Sequence, residues 1–431
     1  MSALPSPRSV SAPLPLSRQA AAAPEQPISR LMADALDNPK LISLAAGFVD
    51  ERSLPRKLVQ RYAGRLLDDP HSGGQALQYG LAAGDRQLRQ AIAARYFADR
   101  WPQRTDAMIL TTGSNQLLHL ISECLLEPDD IVLCAAPTYF VYLAVLRDLG
   151  VRAVSVESDE HGVCPEALER TLDDLSARGL RDRVKMLYLV PYFDNPAGVT
   201  MPEHRRRAII AALGEQAELA PPIALLADNA YRDLRYDGAD VPCFVDLGAE
   251  PDWTIETGTF SKNLSPGLRV GWGVLPEPLH TAVLRRKSVI DFGSPHFSQC
   301  VVRDIVADGQ LDEHLQNDLL PTYRSKRDAM IDACQRYLSR FDGVHFQQPG
   351  GGLYVWLQVP EPLGTAAGST LWETCVRHGV LYVPGGFCFA SEGAPVQNNT
   401  MRLSFGVQPE PRIAEGIELL GQAIEEALRR V

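Results

Sequence analysis

The sequence predicts an α/β protein: a large domain with a mostly parallel, doubly wound sheet, joined to a smaller α+β domain. Three observations carry this. From about residue 105 to 275, short β-branched apolar runs alternate with amphipathic stretches, the pattern of parallel strands covered on both faces by helices. After about residue 288 the alternation gives way to long helical stretches and strand-loop-strand pieces. The 431 residues are 45% hydrophobic and 22% charged, a balance that lets a globular chain bury a sizeable core.

Strands are expected at 107–112, 131–135, 151–156, 185–190, 223–227, 253–257 and 270–274, each a short apolar run bounded by polar or turn residues. Helices are expected between them at 114–126, 139–149, 165–177 and 202–213, the last opened by Pro202, where a missing N–H does no harm. Beyond residue 288 a long helix at 298–340 precedes strands at 351–357, 380–383 and 401–405 and a closing helix at 411–430. The large domain is therefore expected over 71–297, with 25–70 and 298–431 as the N- and C-terminal parts of the smaller one. Residues 1–24 contain Arg8, Arg18 and no acid. Their prolines interrupt both the apolar run of a secretory signal and the amphipathic helix of a transit peptide, so a flexible arm is expected.

Charge and cysteine usage narrow the function. The 42 basic and 53 acidic residues give a net charge of −11, which argues against nucleic-acid binding, since that draws on clustered Lys and Arg. The eight cysteines are scattered without a C-x-x-C or zinc spacing, so reduced thiols, no metal and a cytoplasmic address are expected. No stretch of about 18 apolar residues is present to span a bilayer.

In open α/β sheets, ligands lie beyond the carboxyl ends of the strands, and several of the expected ends carry distinctive residues. Gly113-Ser114-Asn115 leads directly into a helix and makes either a phosphate cradle or an ordinary Ser114 cap. Asp228-Asn229-Ala230-Tyr231 follows a buried strand, where a carboxylate either caps the next turn or meets a cationic ligand group. The loop from Pro191 to Gly198 contains Asn195-Pro196 and, taken singly, reads as turn chemistry. The segment from Thr257 to Trp272 sets Lys262 among hydroxyls and glycines with Arg269 seven residues on. A lysine desolvated there offers a neutral amine as nucleophile toward a carbonyl, and the arginine fork suits a phosphate dianion.

Taken in order, Gln78-Tyr79-Gly80, Gly113-Ser114-Asn115, Pro137-Thr138-Tyr139, Asn195-Pro196-Ala197-Gly198, Asp228-Asn229-Ala230-Tyr231, Ser261-Lys262, Arg269 and Arg402-Leu403-Ser404-Phe405 resemble the class I/II aminotransferases. These are fold-type-I enzymes dependent on pyridoxal 5'-phosphate, and the resemblance covers about residues 28–430. It implies that Lys262 bonds to the cofactor aldehyde and then shuttles a proton, and that Asp228 faces the pyridine nitrogen and keeps it protonated. It places Asn195 and Tyr231 on the phenolic oxygen, Tyr139 against the ring, and Ser114, Asn115, Thr259, Ser261 and Arg269 on the phosphate. Arg402 is implied as the clamp for the substrate α-carboxylate, with Gly47 in the segment closing over it and Tyr79 reaching the phosphate of a neighbouring subunit in a homodimer.

No second arginine is assignable to a dicarboxylate side chain, so the resemblance points to broad, aromatic or 2-aminoadipate-like specificity in ping-pong transfer between an L-amino acid and a 2-oxo acid. A lyase or decarboxylase uses the same residues, because the reaction depends on which Cα bond stands perpendicular to the ring. A non-enzymatic cofactor-binding regulator is disfavoured by the charge and by the lack of a helix-turn-helix pattern.

Overall fold

The structure is a computed structural model describing residues 14–17, 20, 41–97, 102–250 and 252–430. Most of the expected arm at 1–24, and residues 25–40, lie outside the described residues. The strands are β1 (Ile42–Ser43), β2 (Met108–Thr111), β3 (Ile131–Ala136), β4 (Arg152–Asp159), β5 (Gly162–Val163), β6 (Val184–Leu189), β7 (Ala224–Asp228), β8 (Thr254–Thr259) and β9 (Gly271–Val274). Then follow β10 (His345–Phe346), β11 (Tyr354–Gln358), β12 (Val380–Leu381), β13 (Val383–Pro384), β14 (Glu392–Gly393) and β15 (Thr400–Ser404). The large sheet runs β14-β4-β3-β6-β7-β8-β9-β2, with β5 attached to β4. Its central pairs are parallel, and β9 is antiparallel to both neighbours.

Strand alternation sends side chains to two apolar layers. Ile131, Leu133, Leu187, Leu189, Leu225 and Ala227 meet helices Pro165–Ala177 and Glu203–Leu219. Val132, Cys134, Met186, Tyr188 and Leu226 meet Ser114–Leu125, Phe140–Asp148 and Leu279–Ile290. The sheet is thus doubly wound, as expected.

The expected helix at 298–340 is instead broken into His296–Ala307, Gln310–His314, a π-helical turn Leu315–Leu319, and Leu320–Tyr337. Gly309, at φ +72°, adopts the left-handed conformation that ends the first helix. The helix expected at 202–213 continues to Leu219, with Pro202 capping it from outside. A four-stranded antiparallel sheet, β10-β11-β15-β13, completes the C-terminal part of the chain.

The N-terminal segment threads into that part. Ile42 and Leu44 donate to the carbonyls of Gly379 and Leu381, and Ser404 donates to Leu44. Just beyond, Asp50 forms an ion pair of 2.5 Å with Lys326, both inaccessible to solvent. Burial raises the Asp50 carboxyl, but hydrogen bonds from Arg52 and Lys326 outweigh it and bring the group down to about 2. This anchor holds Ala45 to Phe48 over the sheet ends. Asp50→Asn leaves the Lys326 ammonium uncompensated and is expected to destabilise the protein by about 3 kcal/mol in urea unfolding at pH 7. Because the folded carboxyl is depressed, this contribution is complete above the ordinary carboxylate range and fades as pH falls toward 2, so the gap between wild type and variant narrows in acid.

Candidate active site

At the carboxyl end of β7, Asp228 is buried and has no cationic partner among the described residues. By register, Tyr188 lies opposite Leu226 on the neighbouring strand, which puts Tyr188 and Asp228 on one face. The Tyr188 hydroxyl donates to Asp228 Oδ2 at 3.2 Å, and the Ala230 N–H donates to Oδ1 at 3.2 Å. Burial outweighs both bonds and pushes the carboxyl up to about 6.

Beside it, β2 and β9 converge on the start of the helix Ser114–Leu125. Gly113, at φ +76°, occupies the cap with no side-chain bond to the helix, so the alternative of an ordinary Ser114 cap is not realised. Its bareness is required: a Cβ would stand 2.6 Å from Arg269 Nη2, and one on Gly271 would stand 2.5 Å from the Ser114 nitrogen. Arg269 is exposed, adopts a left-handed conformation at φ +54° and donates to the Thr112 carbonyl at 3.1 Å. The Thr259 hydroxyl donates to Ser261 Oγ at 2.9 Å, and Asn115 is exposed, accepting from the Tyr139 hydroxyl at 3.4 Å. Uncapped helix N–H groups with a guanidinium and hydroxyls around them make an anion cradle.

On the other side, Arg402 of β15 is 2% exposed. It donates through Nη1 to Asn195 Oδ1 at 2.9 Å and through Nη2 to the Ala45 carbonyl at 2.8 Å, leaving Nε buried without a partner. The Tyr354 and Phe140 rings lie 4.3 and 5.3 Å from its guanidinium. Asn195 also donates to the Tyr231 hydroxyl at 3.4 Å. Lys262 is half-buried rather than fully desolvated, its Nζ donating to the Gly47 carbonyl at 2.9 Å. Hydrogen bonds therefore join Arg402, Asn195 and Tyr231, while Lys262 reaches the Ala45–Gly47 stretch that also meets Arg402.

Tyr79 stands apart, 78% exposed, its ring edge-on to Phe292. Sequence reasoning did not find Tyr188, whose only signal is a phenol inside an apolar strand. Asp85, His296 and Cys300 bring possible metal-ligand atoms within 4.8 Å of one another. Arg303, however, donates to Asp85 at 3.3 Å and to Cys300 at 3.9 Å, and a cation there would have to compete with the guanidinium.

The family model for aminotransferase class I and II matches residues 39–417, and the chain belongs to that family. It is 35% identical over 393 residues to aromatic-amino-acid aminotransferase 1 of Thermococcus litoralis, covering 90% of this chain and 89% of that protein. The fold is similar to a multiple substrate aminotransferase of Thermococcus profundus, with TM-score 0.87, 32% identity and coverage of 96% and 98%. It is also similar to the α-aminoadipate aminotransferase LysN of Thermus thermophilus, solved with N-(5'-phosphopyridoxyl)-L-leucine, with TM-score 0.83, 30% identity and coverage of 96% and 98%.

The protein is a fold-type-I aminotransferase acting on amino acids and 2-oxo acids, and its cofactor is pyridoxal 5'-phosphate. The residues present fit that group: a buried carboxyl without a cation suits a protonated pyridine, and the Gly113 cradle suits a phosphate.

The raised Asp228 carboxyl sets a stability test on the cofactor-free protein. Between pH 3.8 and about 6 the unfolded chain ionises this group while the folded one keeps its proton, so folding loses stability as pH rises and bears the full penalty above 6. Asp228→Asn is expected to be more stable than wild type at pH 7.5 by roughly 1–3 kcal/mol. The difference should vanish near pH 4, as read by urea unfolding of the two cofactor-free proteins.

Proposed function

We propose that the enzyme transfers amino groups by a ping-pong double displacement with broad specificity leaning to aromatic or 2-aminoadipate-like donors. The names of its similar proteins and the lack of a second arginine assignable to a side-chain carboxylate support this preference. The observation that carries the assignment of roles is the pairing of a buried carboxyl without a cation, Asp228, with a buried guanidinium without an anion, Arg402.

Pyridoxal phosphate supplies an electron sink that acidifies the substrate Cα–H bond. Asp228 holds a proton on the pyridine nitrogen, and Tyr139 packs against the ring. Asn195 and Tyr231 hydrogen-bond the phenolic oxygen, while Ser114, Asn115, Thr259, Ser261 and Arg269 hold the phosphate. Lys262 would supply the amine for the cofactor aldehyde, and its Nζ would accept the proton from the substrate Cα. Arg402 pairs with the α-carboxylate and Gly47 closes over it, which fixes the Cα–H bond perpendicular to the ring and favours its loss over that of other Cα bonds.

We also propose a homodimer in which Tyr79 reaches the partner's phosphate. Exposed Leu77 and Leu81, two residues either side of Tyr79, and exposed Phe292 against its ring support it, since exposed apolar groups gathered together mark an interaction surface. Eight free cysteines support a reducing, cytoplasmic setting. The division into residues 71–297 and a smaller domain of 25–70 with 298–431 is proposed on the same footing. Among the described residues no helix is long and apolar enough to cross a membrane.

Incubation with a panel of amino acids and 2-oxoglutarate or pyruvate tests the reading, and failure to form any new amino acid overturns it. Lys262→Ala is expected to abolish both turnover and the visible absorption band of the holoenzyme. Arg402→Ala is expected to lower kcat/KM on the order of 100-fold, by a similar factor for every donor, because it removes a contact common to all substrates.

A further inference from the structure

We propose that Tyr354 is a positioning residue for transamination, its hydroxyl setting the Tyr231 hydroxyl and its ring face seating the Arg402 guanidinium. One side chain would then join the group that serves the cofactor to the group that serves the substrate carboxylate. The inference rests on the roles proposed above for Tyr231 and Arg402.

The geometry follows from strand register. Trp356 lies opposite Arg402 across β11 and β15, and Tyr354 lies opposite Ser404. Two residues along a strand return to the same face, so Tyr354 and Arg402 are diagonal neighbours on the face turned toward Asn195. The ring centroid is 4.3 Å from the guanidinium carbon, close enough for the π face to stabilise a desolvated cation. The hydroxyl lies 3.2 Å from that of Tyr231, with the two rings at 76°. A Cβ on Gly47 would stand 2.9 Å from the same hydroxyl, so the bare backbone there leaves the phenol its room. Tyr354 is 1% exposed. Phenylalanine would fill the space with no polar atom to satisfy, so what tyrosine adds is the hydroxyl.

Charged neighbours also bear on the pair. Tyr354 faces Arg402, Lys262, Tyr231 and Cys388, and Tyr139 and Tyr323 lie within electrostatic reach. Burial raises its phenol, but the charges of Arg402 and Lys262 and the hydrogen bond with Tyr231 outweigh burial and hold it below the ordinary value. Burial, together with Tyr354, pushes Tyr231 well up. Either hydroxyl can be the donor in this bond; when that of Tyr354 donates, the Tyr231 proton is left for the cofactor's phenolic oxygen.

Tyr354→Phe, Tyr354→Leu, Tyr231→Phe and the double variant Tyr231→Phe with Tyr354→Phe are compared in the full-length holoenzyme. The readouts are the pH midpoint of the visible band, kcat and KM separately, and thermal melting. Tyr231→Phe is expected to move the midpoint, and Tyr354→Phe to move it in the same direction by less. In Tyr354→Phe, kcat should fall roughly 3- to 10-fold with KM within about twofold. Tyr354→Leu, which also loses the ring, is expected to raise KM about tenfold. The double variant should match Tyr231→Phe alone.

A midpoint that moves in Tyr231→Phe but not in Tyr354→Phe overturns the inference and leaves the role of Tyr231 standing. Independent, multiplying effects in the double variant also overturn it. No movement in Tyr231→Phe overturns the proposed role of Tyr231 and the inference with it. Tyr354→Phe keeps the buried ring, so these readouts stand even if Tyr354→Leu fails to fold.

Discussion

The structure turns on a buried positive charge. Arg402 sits almost wholly out of water, and its hydrogen-bond acceptors, the Asn195 side chain and the Ala45 carbonyl, are neutral. Removing a guanidinium from water without a counter-ion costs several kcal/mol, only partly offset by two hydrogen bonds and the rings of Tyr354 and Phe140. Those contacts come from four separate stretches: the N-terminal segment, the helix after β3, the loop after β6, and the strand next to Arg402 itself. This one cation, without a carboxylate partner among the described residues, therefore ties together distant parts of the chain.

Asp228 imposes the complementary constraint. It is a carboxyl at the end of a strand buried along its whole length, with hydrogen bonds from one phenol and one backbone N–H. Two such sites, opposite in sign and each costly to maintain, give the region its polarity. Functional sites often carry strain of this kind, which the packing of the surrounding core must outweigh. Here that packing includes the two apolar layers of the doubly wound sheet.

Much of this was legible in the sequence, because strands covered on both faces read as continuous apolar runs and their ends carry the chemistry. Lys262, Arg269 and Asp228 stood out as charged residues at the ends of apolar strands, whereas Asn195, Tyr231 and Arg402 were singled out only through the resemblance of their motifs to a family. Helix breaks were less legible: the stretch 298–340 keeps its apolar spacing across Asp308-Gly309, and only the backbone of Gly309 reveals the turn. Tyr188 and Tyr354 were hidden for another reason. A tyrosine in a strand looks like any core aromatic until register shows what its hydroxyl meets. The exposure of Tyr79 is likewise a property of the surface and not of local pattern.

The short strand Glu392–Gly393 lies parallel to β4, with Arg152 gripping Glu392 through two bonds of 2.9 and 2.6 Å. A Cβ on Gly393 would meet the Ser155 carbonyl, so only a bare residue can nestle so tightly there. Without this return of the chain, the outermost long strand would present a row of unpaired amides to any passing polypeptide, the usual seed for edge-to-edge aggregation. A two-residue strand bearing an acid is a poor template for such growth, so this small appendage blunts that edge of the sheet against strand-to-strand stacking.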